Sequence, residues 1–132
     1  SNDSMSPYGR DELFLLVVAL MLNHELDAVY QHEWRFFFGW SRLSDQAQYR
    51  LFTALHVPLL LLVLVGLDDG GFQFWFDLFV IVHAGLHFVL RHHPAITFNN
   101  GFSRLWIYGA AAVAAVHLWI KLTFICCALP PT

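Results

Sequence analysis

The chain has 132 residues, enough for a single domain. Apolar residues make up 58% of it and charged residues only 13%, whereas soluble domains carry about 25% charged residues. The formal net charge is −3 and the seven Lys and Arg form no cluster, so the sequence predicts no nucleic-acid partner. Thirteen Phe and five Trp fit a surface that faces lipid, and we predict a membrane-embedded protein.

Four apolar stretches predict membrane-spanning helices, at about 11–34, 46–67, 72–91 and 102–126. The linker 36–42 is rich in aromatic and basic residues, which suits the membrane interface. Ser44 or Asp45 is expected to cap the second helix. Short connections make neighbouring helices antiparallel. The fold class is therefore predicted as all-α: an integral membrane four-helix up-down bundle, with residues 1–132 as its one domain.

Local signals mark bends, ends and contact surfaces of these helices. Pro58 is expected to kink the second helix, and the acidic sequence 68–71 is expected to form a tight turn after it. Pro94 ends the third helix. In the fourth helix, the small residues at 109–115 allow close approach of another helix in lipid. We predict a homodimer that forms through this surface.

Basic residues are distributed unevenly between the two ends of the predicted bundle. The end that holds the first and third connections carries five of them: Arg35, Arg42, Arg50, Arg91 and Arg104. The other end carries Arg10 and Lys121. Because basic loops tend to stay in the cytoplasm, we expect both basic loops to be cytoplasmic and both termini to lie outside.

The first predicted helix contains an ionisable stretch at 23–34, with two His, two Glu and one Asp. It follows ten consecutive apolar residues, 13–22. Ionisable groups are costly inside a bilayer, so their presence there indicates a functional site. Histidine is also unusually frequent, with eight residues against seven Lys and Arg combined.

Imidazoles on three predicted helices lie at similar depth. Counted from the cytoplasmic helix ends, His24 lies roughly 15 Å deep, His56 roughly 9 Å and His83 roughly 12 Å. His24 and Asp27 share one helix face, and His83 and His87 share another. Antiparallel packing would bring these faces together. The sequence therefore predicts a metal site formed by His24, Asp27, His56, His83 and His87.

Three or four neutral imidazoles with one carboxylate suit a divalent metal, with Zn²⁺ as the first candidate and Fe or Mn as weaker ones. Asp27 would be a fourth ligand or the general base, and His56 a ligand or proton shuttle. With an open coordination position, the metal would lower the pKa of a bound water toward about 7. This chemistry predicts a zinc-dependent hydrolase that acts on a membrane lipid or another amphiphile.

The remaining imidazoles have simpler interpretations. His32, His92 and His93 are expected at the membrane interface, and His117 is expected to pair with Asp77 or Lys121.

Two other functions stay open. One is a non-enzymatic, homo-oligomeric transporter, metal-handling or proton-relay module, because His and Asp chains carry protons in membranes. The other is a structural membrane subunit in which the polar cluster only holds the helices together.

A set of short motifs carries a family resemblance: HELDA at 24–28, HEW at 32–34, His56, HAGLH at 83–87 and the Asn pair at 99–100. In these motifs the chain resembles a family of small bacterial four-helix membrane proteins of unknown function. It is more distantly similar to the HXXEE family, whose first helix carries His-x-x-Glu-Glu. Here Asp27 takes the first acidic position and Ala28 the second. The resemblance implies a site of His and acidic residues within the bacterial inner membrane.

Overall fold

The computed structural model describes residues 11–96, 100–128 and 130. This part of the chain contains helices and no strands, in the order α1 (Glu12–Tyr30), α2 (Trp34–Phe38), α3 (Asp45–Gly66), α4 (Gly70–Val89) and α5 (Gly101–Ala128). The four long helices are each long and apolar enough to cross a membrane. The all-α class and the four membrane-length helices are thus confirmed. Arg10 and Asn99 lie outside the described residues.

Two polar contacts at opposite ends of α1 fix its direction against α5. Asp11, just before α1, pairs with His117 in the second half of α5. Asp27, near the end of α1, accepts a hydrogen bond from Ser103 at the start of α5. Because the early part of one helix meets the late part of the other, α1 and α5 are antiparallel.

Ring contacts fix the direction of α4 in the same way. Phe14 in the first turn of α1 packs edge-on against Phe76 in the first half of α4. His24, further along α1, packs against His83 in the second half of α4. The two helices are therefore parallel, and α5 runs opposite to both. These three directions are the ones that an up-down order assigns to α1, α4 and α5.

The apolar core lies among α1, α4 and α5. Ala110 and Ala114 of α5 are completely buried there, so part of the predicted dimer surface packs inside the chain. Small side chains at these positions let the helix backbones approach closely. Ala112 and Ala115 of the same stretch stay exposed. The core cluster consists of Val17, Met21, Val80, Ala110 and Ala114.

Helix α3 lies beside this three-helix core and packs mainly against α2. Pro58 lies inside α3, which continues through it as one helix. Most of its leucines and valines are exposed, an arrangement that costs little when the surroundings are lipid. The exposed apolar side chains of α3 are Leu51, Leu55, Val57, Leu59, Leu60, Leu61, Leu62, Leu64 and Val65.

Polar side chains cap the starts of the long helices. Ser44 Oγ accepts a hydrogen bond from the Ala47 amide at 3.2 Å, which confirms Ser44 as the cap of α3. Asp11 caps α1 in the same way. In the predicted acidic turn, Asp69 accepts hydrogen bonds from the amides of the first turn of α4. That cap lets α4 begin at Gly70, two residues earlier than predicted.

Part of the predicted linker 36–42 is helical, because α2 covers Trp34–Phe38. The Arg35 guanidinium donates hydrogen bonds of 2.8 and 3.0 Å to the Asp45 carboxylate. This hydrogen-bonded carboxylate raises the pKa of Arg35 above its ordinary value. Both side chains are about half exposed, so the ion pair contributes little to stability and mainly orients α2 against α3.

The turn between α3 and α4 depends on the missing side chain of Gly66. A Cβ at this position would lie 2.4 Å from the Phe72 ring. We expect Gly66→Ala to lower the free energy of unfolding by about 1–3 kcal/mol, because the ring would have to move. Gly85→Ala is the matched control, since a Cβ there meets no atom within 4 Å.

Thermal unfolding in detergent, followed by circular dichroism, measures both variants. Gly85→Ala should be neutral or stabilising by up to about 1 kcal/mol, because alanine favours helix. Equal stability of the two variants would show that the close approach of Gly66 and Phe72 has no energetic weight.

Candidate metal centre

Helix α1 ends four residues earlier than predicted, in a Schellman motif. The His32 amide bonds to the Val29 carbonyl at 3.2 Å, and the Glu33 amide bonds to the Ala28 carbonyl at 3.0 Å. His32 takes the left-handed position of this motif, with φ of 61°. Glycine usually occupies that position, although histidine tolerates it better than most residues.

This helix end determines where Glu33 points. In a continuous helix, Glu33 would lie about 180° around the axis from His24 and about 13 Å along it. The motif instead reverses the chain, and the Glu33 side chain is buried, with 5% of its surface exposed. A carboxylate that helical periodicity places on the wrong face thereby joins the face of His24.

Helix α4 contributes two imidazoles. His83 and His87 lie one turn apart on the same face, and their Nε2 atoms are 3.1 Å apart. The His24 ring on α1 faces both of them, with its centre 4.9 Å from the His83 ring and 5.3 Å from the His87 ring. Parallel packing of α1 and α4 thus brings three imidazoles into one group.

Together these side chains form the His/Glu cluster: His24, Glu33, His83 and His87. One potential ligand atom from each lies within 4.8 Å of all the others. Glu33 Oε1 is 3.6 Å from His87 Nε2. His24 is fully buried, while His83 keeps some exposure. The cluster is therefore a buried set of nitrogen and oxygen donors with one partly open side.

The protons in the cluster matter for what it can bind. A hydrogen bond between His83 Nε2 and His87 Nε2 needs a proton on one of these atoms, and the other accepts it. His83 Nδ1 has no hydrogen-bond partner among the described residues. A metal ion held by both Nε2 atoms would replace the shared proton, because neutral imidazole binds metal through a lone pair.

The structure brings together three of the five predicted ligands and places the other two elsewhere. Asp27 is buried and accepts the hydrogen bond from Ser103 of α5. His56 Nδ1 donates to the Phe52 carbonyl, and His56 Nε2 lies 2.8 Å from a Glu25 carboxylate oxygen. The donor set of the cluster thus differs from the predicted one: it contains Glu33 in place of Asp27 and His56.

The Asp27 and His56 contacts have clear physical causes. Ser103 gives the Asp27 carboxylate the donor that it needs once buried. The pairing with His56 likewise compensates Glu25, and it links α3 to α1. Glu25 also lies close enough to Glu33 and His87 to interact with them electrostatically. Both pairs therefore border the His/Glu cluster without joining its donor set.

A second polar group lies at the other end of the three-helix core. His117 Nδ1 bonds to Asp77, one of its two predicted partners, and His117 Nε2 lies 2.8 Å from Asp11 Oδ2. Lys121 Nζ lies 3.5 Å from the same Asp11 oxygen. The core cluster, built around Val17, separates this Asp/His/Lys group from the His/Glu cluster.

The remaining imidazoles lie at the predicted interface end of the bundle. His32, His92 and His93 are exposed. His32 packs edge-on against Trp34, and His93 Nδ1 accepts a hydrogen bond from the Ala95 amide.

These features define a class of protein: within residues 11–96 and 100–128, only helices, four of them of membrane length, with a buried His/Glu cluster between the first and the third of these four. The chain belongs to DUF6713, a family of unknown function whose sequence model matches residues 11–124. This agrees with the expected resemblance to an uncharacterised family; the similarity to the HXXEE family and the bacterial origin stay predictions. Comparisons with curated proteins and with solved structures gave no match.

The left-handed conformation of His32 provides a test of how Glu33 is positioned. We expect His32→Gly to keep or raise the stability, because glycine adopts this conformation without a steric penalty. We expect His32→Val to lower it by roughly 1–2 kcal/mol, because a β-branched residue is strained there. Thermal unfolding in detergent compares the pair. If valine proves as stable as glycine at this position, the helix end does not have the geometry described.

Proposed function

We propose that this protein binds a divalent transition metal ion within the membrane, with His24, Glu33, His83 and His87 as ligands. The observation that carries the proposal is the convergence of four donor atoms from two helices and a helix end within 4.8 Å. Zn²⁺ is the proposed ion, and Fe or Mn are secondary candidates, because three imidazoles and one carboxylate suit all of them.

The spacing of the donors supports this proposal. In a tetrahedral zinc site with bonds of about 2.0–2.1 Å, neighbouring donor atoms are about 3.3–3.4 Å apart. Two separations in the cluster bracket that value: 3.1 Å between the Nε2 atoms of His83 and His87, and 3.6 Å from His87 Nε2 to Glu33 Oε1. Only small side-chain movements are needed for these three donors to reach one ion.

The membrane environment adds a second argument. A hydrogen-bonded polar pair between helices in lipid contributes only about 0.6–2 kcal/mol. Burying three imidazoles and a carboxylate in the membrane costs more free energy than such hydrogen bonds alone would return. A bound divalent cation would use all four side chains as ligands, and the Glu33 carboxylate would compensate one of its two positive charges.

Hydrolysis of a membrane lipid or another amphiphile is the proposed reaction, and the position of Glu33 favours it. Glu33 lies just beyond the end of α1, and its Oε1 is 3.6 Å from His87 Nε2. Three imidazoles would hold the ion, a water molecule would take the fourth position, and Glu33 would accept its proton. In this form of the proposal Glu33 has the general-base role that the sequence predicted for Asp27.

Transport, the main alternative, is less well supported. A polar path across the membrane would have to connect the His/Glu cluster with the Asp/His/Lys group. The residues between them form the apolar core cluster, in which Val17 and Val80 are completely buried. Two observations favour transport. The Asp/His/Lys group gives the bundle a second polar site near its other end, and the exposed Ala112 and Ala115 could form the homodimer that a four-helix transporter would need.

The membrane location is part of the same proposal. We place the protein in the bacterial inner membrane with its basic loops in the cytoplasm. The His/Glu cluster lies at the end of the bundle that carries Arg35 and Arg91. The proposed centre would therefore meet substrate from the inner leaflet.

Metal content is the measurement that tests this proposal. We expect about one metal ion per chain in detergent-purified protein, and we expect His24→Ala to weaken binding by at least roughly 10–100-fold, the range seen when even indirect partners of metal sites are lost. His92→Ala is the control, because this exposed imidazole lies outside the cluster. Asp27→Asn and His56→Gln should keep the metal. Elemental mass spectrometry after loading and dialysis measures all five proteins.

Glu33→Gln separates the two roles proposed for Glu33. If Glu33 is a ligand, the variant loses metal together with His24→Ala. If it is the general base, the variant keeps metal through the three imidazoles and loses hydrolysis of ester or amide amphiphiles. Absence of metal from the loaded wild-type protein would leave the cluster as a structural polar network.

Removal of the metal should destabilise the protein. A ligand present at 100 times its dissociation constant stabilises the folded state by about 2.7 kcal/mol. We therefore expect a chelator to lower the melting temperature of wild-type protein in detergent and added Zn²⁺ to restore it. The His24→Ala variant should respond to neither. A shift of the same size in that variant would place the responsible metal site elsewhere.

A further inference from the structure

A cavity of about 600 Å³ lies between the start of α4 and the second half of α5. Gly70 and Gly71 leave it room on the α4 side, because they have no side chains. Its walls are otherwise mainly apolar, and its two ionisable side chains are Asp77 and Lys121. Its volume falls within the range of small-molecule sites, about 300–1,000 Å³. The cavity is at the opposite end of the core from the His/Glu cluster.

Asp77, one of the residues that line this cavity, has an unusual feature. Its side chain is completely buried, and one carboxylate oxygen bonds to His117 Nδ1. The other oxygen, Oδ1, has no hydrogen-bond partner among the described residues. A buried carboxylate oxygen without a donor is costly, so native structures nearly always supply one. A ligand in the cavity that Asp77 lines could supply this donor after a small movement of the wall, because Oδ1 itself is fully covered.

The charge of the Asp/His/Lys group limits the kind of ligand. His117 bridges two carboxylates, those of Asp11 and Asp77, so either the imidazole carries two protons or one of the acids is protonated. In both cases the two acids, the imidazole and Lys121 sum to zero. A charged ligand would therefore bring an uncompensated charge into the membrane, whereas a neutral ligand would not.

We propose that this cavity binds a neutral single-chain lipid with a free hydroxyl group, such as a monoacylglycerol. A hydroxyl can donate a hydrogen bond to Asp77 Oδ1 and accept one from the Lys121 ammonium, so one group serves both polar walls. The acyl chain lies against the apolar walls, which include Phe74, Leu118 and Phe124. The proposal does not depend on the metal centre, because the apolar core cluster separates the two sites.

Native mass spectrometry of the full chain tests the proposal. The protein is purified in an alkyl dimethylamine oxide, a detergent without hydroxyl groups, and titrated with monooleoylglycerol or with methyl oleate. The two probes share the acyl chain, and methyl oleate lacks the hydroxyl donor. We expect one monooleoylglycerol per chain and roughly tenfold or more weaker binding of methyl oleate. Equal binding of the two probes, or no binding, would overturn the proposal.

Matched variants locate the binding. Leu118→Trp adds bulk to the cavity wall and should reduce monooleoylglycerol binding by roughly tenfold. Leu105→Trp makes the same change on an exposed part of α5 away from the cavity and should bind like wild type. Circular dichroism confirms that both variants fold. If Leu105→Trp and Leu118→Trp bind equally well, the lipid occupies another surface and the cavity assignment is wrong.

Discussion

The constraint on which this structure depends is that an ionisable side chain within a membrane needs a partner. Four polar contacts in the core join different segments of the bundle: Asp11 and Asp77 meet His117, Asp27 meets Ser103, and Glu25 meets His56. Apolar packing alone would let helices slide in lipid, because lipid tails are as apolar as leucine. The polar pairs therefore specify the register of α1 and α4 against α5, and the apolar residues fill the space that this register leaves.

Much of the fold follows from simple sequence signals. Long apolar stretches predict the four helices, and Ser44 is recognisable as a cap. The i, i+4 spacing places His83 and His87 on one face. Periodicity continues α1 to residue 34 and so places Glu33 away from His24, whereas the helix ends at Tyr30 and Glu33 lies beside the imidazoles. The usual signal for that end is glycine, and here histidine takes its place. Depth in the membrane alone does not show whether Asp27 and His56 face the imidazoles, because Ser103 of α5 and Glu25 of α1 are alternative partners for them.

The two polar groups differ in their surroundings. The His/Glu cluster gathers donors that suit a metal ion, whereas the Asp/His/Lys group joins acids and bases that neutralise each other. An apolar layer with Val17 and Val80 separates them, so each can have its own ligand without sharing charge with the other. Helix α3 contributes to neither group, and its His56 only borders the His/Glu cluster through Glu25. Both polar groups thus lie on three of the four long helices that the structure describes.

The distance in sequence between polar partners has a consequence for biosynthesis. The partner of Asp27, Ser103, lies 76 residues later in the sequence, and the partner of Asp11, His117, lies 106 residues later. Since translation proceeds from the N-terminus, α1 enters the bilayer long before α5 has left the ribosome. Its acids must stay solvated or shielded by the insertion machinery during that interval. A chain that stops before α5 would leave Asp11 and Asp27 without these partners.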